Sequence, residues 1–232
     1  MILLAIETSG PVGSVALSSD DTVLAEVQVD AGMVHGRELV PMLEKVLRAA
    51  GRNTSSVDVI AVSMGPGSYT GLRVGVSCAK TLAYALSRPV VGVSSLEVIA
   101  YNAPPTRRLV WTVVDARRRH LYVAGFVRSD AGLLRTYDDA AIEFHRLPEI
   151  LPVAAFVIGD AIKAYPDLLK ASPALELAPP ELWVPRAAVV ALLAFRRASR
   201  GQYDDPIALV PVYLQIPEAE VLWQKRHGAG RG

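Results

Sequence analysis

Several things are scarce in this chain. Its 232 residues hold one cysteine, four histidines and four phenylalanines, and 24 Lys+Arg against 23 Asp+Glu leave a net charge of +1. Without a second cysteine, Cys78 has no disulfide partner within the chain, and a reducing compartment is expected. His35, His120, His145 and His227 lie scattered, none at the H-x-x-x-H spacing that puts two ligands on one helix face, so no metal site is expected. Near-neutral charge gives little long-range attraction for a polyanion, which disfavours autonomous nucleic-acid binding. The longest uninterrupted apolar run, Ala187–Phe195, is far shorter than the roughly 20 residues that span a bilayer. The opening "MILLAIETSG" has no basic leader and soon meets Glu7, so neither a signal peptide nor a membrane contact is expected, and the expected location is cytoplasmic.

What is plentiful is apolar surface. Hydrophobic residues make up 51% of the chain, and the mean hydropathy is positive. Part of that surplus is expected to remain outside as a contact patch. Three strand patterns open the chain, "ILLAIET", "SVALS" and "TVLAEVQV", separated by tight turns as in an antiparallel meander. A helix is predicted from Glu38 to Ala50, with Pro41 in its first turn and Gly51 as its stop. Strand "VDVIAVS", a glycine-rich loop, a helix from Ser68 to Leu86 and strand "PVVGV" follow. After the proline-rich "YNAPPTRR" a similar order begins again, with strands "RLVWTVVDA", "HLYVAGFVR", "LLRTYDDAAIEF" and "AAFVIGD", helix "AIKAYPDLLKA", strand "ALELA" and closing helix "RAAVVALLAFRRASRG". The expectation is a duplicated α/β fold with lobes over residues 1–103 and 104–216 and a flexible tail over 217–232.

The loop "MGPGSYTGLR" fails the phosphate-loop tests. Gly71 is followed by Leu72 rather than by Lys and a hydroxyl residue, and Thr70 stands where a dinucleotide fingerprint needs glycine. A nucleophile elbow is absent around Ser68, and Cys78 falls in an apolar mid-helix setting that suits packing rather than reactivity. The helix after the loop carries more information. Gly71, Gly75, Ala79, Ala83 and Ser87 recur at a spacing of four and form a ridge of minimal side chains along which another backbone could approach closely. The helix is apolar nearly all round, so cover is expected on two sides, and the preceding helix also has apolar area to spare.

Together the strings "AIETS", "GPGSYTGLRVG" and "DARRRHLY" resemble the bacterial TsaB family, also known as YeaZ, most closely from Met1 to about Tyr122. The resemblance implies an actin-like ATPase fold of two ribonuclease-H-like lobes. It also implies a non-catalytic partner of TsaD, a metal-dependent paralogue that transfers a threonylcarbamoyl group to adenosine 37 of tRNA. The ATPase TsaE would join that complex, tRNA would be met only through it, and alone the chain would form a homodimer. On this likeness the partner-binding residues are Leu39, Val40, Met42, Leu43 and Leu47 of the first helix and Leu72, Gly75, Val76, Ala79 and Ala83 of the second. Glu7, Thr8 and Ser9 keep the outline of a phosphate hairpin, a vestigial nucleotide site, and neither cofactor nor catalytic residue is expected.

Departures from the paralogue support that assignment. Where TsaD has an H-x-x-x-H pair, this chain has Ser95 and Ile99; where TsaD has a second glycine-rich turn, this chain has Asp115 and the run Arg117, Arg118, Arg119. His120 stands where TsaB chains usually carry an acid. The competing readings are an ATP hydrolase or kinase working through Glu7 and Asp115, a metallopeptidase, and a tRNA binder using Arg117–Arg119 with the "QKRH" tail.

Overall fold

The computed structural model describes residues 1–30, 35–167 and 174–215. The expected tail, with "QKRH" and His227, lies outside the described residues, as does the end of "AIKAYPDLLKA".

Strands β1 (Ile2–Glu7), β2 (Val12–Ser19) and β3 (Thr22–Asp30) form the expected meander. β4 (Val59–Gly65) then adds in parallel beside β1, and β5 (Val90–Ser94) beside β4, giving the order β3-β2-β1-β4-β5. Strands β6 (Leu109–Asp115), β7 (His120–Ser129), β8 (Gly132–Glu143), β9 (Phe156–Ile158) and β10 (Glu176–Leu177) repeat the pattern as β10-β9-β6-β7-β8. The two sheets therefore share one topology, the duplication expected from the element order.

Helices α1 (His35–Ala49) and α2 (Tyr69–Leu86) cover one face of the first sheet. α1 begins a turn earlier than predicted, so Pro41 sits inside the helix rather than in its first turn. Ser68, taken by sequence as the first helical residue, caps α2 instead, its hydroxyl accepting from the Gly71 N–H at 3.2 Å. Alternation along β1 sends Leu4 and Ile6 toward α1 and α2 and Leu3 and Ala5 to the opposite face.

That opposite face departs from the expected division into lobes. It is covered by α6 (Ala187–Ala198), a helix assigned by sequence to the second half, whose Ala187, Val190, Ala191 and Ala194 pack on Leu3, Ala5, Ala61 and Val91. In exchange, α3 (Ser95–Ala100) from the first half puts Leu96, Ile99 and Ala100 against Val110, Ala124 and Phe126 of the second sheet. The far face of that sheet is covered by α4 (Leu147–Ile150) and α5 (Ala161–Ala164) through Leu147 and Ala161. Each half thus completes the core of the other. After α6 the described residues stay on the first lobe. Asp204 bridges Val90, Leu209 enters the core beside α2, and Val212 donates to the Met64 carbonyl at 2.8 Å.

Candidate functional site

The β1–β2 turn is where the vestigial phosphate hairpin was expected. Glu7 ends β1 with no solvent exposure. Its Oε1 accepts from the Ser9 N–H at 2.5 Å, and Oε2 has no hydrogen-bond partner among the described residues. The nearby Ser63 hydroxyl is engaged with Ser95 Oγ at 2.7 Å. Burial pushes the Glu7 carboxyl above its ordinary range, and the Ser9 and Ser63 groups offset this only in part.

The rest of the turn is closed in the same way. Thr8 Oγ1 donates to the Gly71 carbonyl at 2.8 Å, and the Ser68 N–H donates to the Ser9 carbonyl at 2.7 Å. Gly67 lies so close to Ser9 that any Cβ there would collide with it. An anion cradle needs backbone N–H groups pointing at open space. Here the Ser9 and Ser68 donors are bound internally and are not free to meet a nucleotide phosphate.

Ser95 and Ile99, expected to stand where the paralogue has a metal pair, are equally absorbed. Ser95 is buried and bonded to Ser63, and Ile99 belongs to the core between α3 and the second sheet. In the second half, Asp115 accepts from the Arg117 N–H at 2.9 Å, and its own N–H donates to Asp160 Oδ1 at 2.8 Å. Burial pushes the Asp160 carboxyl up. No hydrogen bond or ion pair joins Glu7 to Asp115 among the described residues. Arg117, Arg118 and Arg119 form an exposed hairpin tip with positive φ at all three, and His120 Nδ1 meets the Arg118 carbonyl at 2.9 Å. Cys78 packs beside the first-lobe core, and burial pushes its thiol up, as suits an inert packing residue.

The ten expected partner-binding residues divide sharply. Leu39, Met42, Leu43, Leu47, Leu72, Gly75, Val76, Ala79 and Ala83 are all buried within the chain itself. Only Val40, at 58% exposure, faces outward. This corrects the expectation that the small-residue ridge is displayed: it is the surface by which α2 seats on its own sheet. Gly75 lies over Thr8 and Ile6, and a Cβ there would overlap Thr8 Oγ1.

The apolar surface that is left over lies elsewhere. Tyr84, with 85% of its area exposed, and Tyr69 stand on the outer side of α2. Beside them run Ile207, Val210, Val212 and Tyr213, held by Lys80 Nζ donating to the Ile207 and Leu209 carbonyls at 3.0 and 2.9 Å and by the Tyr69 and Tyr213 rings 4.9 Å apart. Sequence reasoning missed the segment 203–215. Its prolines and irregular apolar spacing give no period that would reveal a face.

Comparisons with known proteins agree with this fold. The family model TsaD, tRNA N6-adenosine threonylcarbamoyltransferase, matches residues 29–167. The chain is 30% identical over 236 aligned residues to the tRNA threonylcarbamoyladenosine biosynthesis protein TsaB of Escherichia coli, covering 98% of this chain and 99% of that protein. Among solved structures, YeaZ from Pseudomonas aeruginosa superposes with a TM-score of 0.77 at 27% identity, covering 92% of this chain and 99% of the other. A ROK hexokinase from Thermus thermophilus, at 12% identity, shares the fold alone, with a TM-score of 0.50 over 87% of this chain and 100% of its own.

Proposed function

Because this chain belongs to the TsaB family, we propose that it is the non-catalytic subunit that binds a TsaD-type transferase and supports threonylcarbamoyl transfer to tRNA. The observation that carries this reading is the closed β1–β2 turn. A nucleotide-using member of such a fold needs free backbone donors there, and this chain ties Ser9 and Ser68 to its own Glu7 and Ser9. Removing that chemistry while keeping the fold leaves a body suited to holding another protein.

The apolar strip on the outside of α2 supports the docking half of the proposal. Tyr69, Tyr84, Ile207, Val210 and Tyr213 expose large hydrophobic area there, with Val40 exposed separately on α1, and aromatic anchors of this kind dominate protein interfaces. The paralogue would meet this outer surface rather than the ridge, which is already occupied. The same strip would carry the homodimer when the paralogue is absent, and a TsaE-type ATPase would join the pair.

Co-purification with the TsaD-type protein of the same organism, followed by an assay of threonylcarbamoyl incorporation into tRNA with and without this chain, tests the reading. A stable complex whose activity depends on this chain is expected. Full activity of the paralogue alone, or ATP hydrolysis by this chain alone, would overturn it.

A further inference from the structure

We propose that the groove where α6, α3 and the β7–β8 turn converge is a binding site for a small organic phosphate, a phosphate monoester carrying an apolar or aromatic body. The groove has a volume of about 370 Å³, within the range of small-ligand sites. It lies away from the closed β1–β2 turn. Leu133, Leu134 and Leu193 form one part of its wall, and Arg135, Arg196, Arg197 and Arg200 bring four guanidinium groups to it.

The charge there is not balanced internally. Arg135 pairs with Glu97 and Asp139, and Arg197 with Asp204. Arg196 and Arg200 have no carboxylate within 4 Å among the described residues. Arg196 instead donates to the Tyr101 hydroxyl at 2.5 Å and lies over the Tyr101 ring, 5.2 Å from its centroid. The same hydroxyl accepts from the Leu133 N–H at 3.2 Å, so its own proton is left to donate. The groove therefore sets four guanidinium groups against the three carboxylates of Glu97, Asp139 and Asp204, Glu97 also lining it, and leaves an excess of one positive charge with a phenol O–H beside an apolar wall. Arginine's planar fork matches phosphate oxygens, and an aromatic ring suits the attached body.

The site is also held in shape. Gly132 at the tip of the β7–β8 turn has φ +118°, and a Cβ there would overlap the Arg196 guanidinium and stand 2.6 Å from the Tyr101 hydroxyl. At this φ a side chain would be strained whatever the space, so glycine suits the turn that sits beside Arg196 and Tyr101. Residues from both halves of the chain line the groove, so a bound ligand would tie the two lobes together.

Isothermal titration of the full-length protein at low salt with AMP, inorganic phosphate and adenosine tests this. AMP is expected to bind saturably at one site, inorganic phosphate more weakly, and adenosine not measurably. Arg200→Glu, at an exposed position, is expected to weaken AMP by about tenfold or more with an unchanged melting temperature, and Arg196→Met to do the same. Absence of saturable AMP binding up to millimolar concentration would overturn the proposal. So would adenosine binding as tightly as AMP, or Arg200→Glu leaving the affinity unchanged in a folded protein.

Discussion

Replacing Gly75 by alanine separates a ridge that builds the protein's own core from one that waits for a partner. Gly75 is buried on α2 above Thr8, whose hydroxyl is itself buried and donates to the Gly71 carbonyl at 2.8 Å. A Cβ at 75 would occupy the place of Thr8 Oγ1, so either the helix lifts or Thr8 turns and loses its bond. Overpacking a filled core costs about 1–3 kcal/mol. The lost hydrogen bond adds about 1 kcal/mol, and the gain in helix propensity from glycine to alanine returns about 1 kcal/mol. The net expectation is a destabilisation of about 1–3 kcal/mol, read by urea unfolding of the isolated chain. Thr8→Ala in the same background should relieve part of it, so the double mutant is less destabilised than the sum of the singles. A Gly75→Ala chain as stable as the parent, or more so, would refute the inward orientation of α2; strict additivity with Thr8→Ala would refute the contact that explains it.

Glu7→Gln should raise stability at pH 7 to 8 relative to the parent and much less near pH 4, followed by melting temperature across that range. The folded-state pKa of Glu7 is raised by burial, so its carboxyl contributes most favourably below its unfolded value and loses that contribution as pH rises toward the folded one; a pH-independent difference would contradict this. Val40→Asp, at a 58% exposed site, should leave unfolding within about 0.5 kcal/mol of the parent yet weaken co-purification with the TsaD-type paralogue, as should Tyr84→Asp; unchanged capture by both would move the interface off this strip. Asp204→Ala should cost about 1–3 kcal/mol in urea unfolding, because Asp204 accepts from the Gly92 N–H at 2.7 Å and from Arg197 at 3.1 Å; a neutral result would mean that the segment after α6 does not fasten to β5.

Much of this protein is legible locally. Alternating apolar residues in "ILLAIET" and "SVALS" and the repeat of three strands followed by strand and helix specify the two sheets, because strand period depends on neighbours a few residues apart. The lack of any H-x-x-x-H pair is equally readable, since it is a matter of which side chains are present. What covers each apolar face is not local. The ridge of Gly71, Gly75, Ala79 and Ala83 announces a close approach without naming the partner, and only the folded chain shows that Thr8 and Ile6 fill that place. The exchange of α3 and α6 between the sheets, the sealing of Glu7 and the gathering of Arg135 and Arg196 into one groove likewise join residues far apart in sequence. Periodicity determines how much apolar surface each element must bury; the tertiary structure decides against what, because burial is satisfied by whichever surface the whole chain brings into contact.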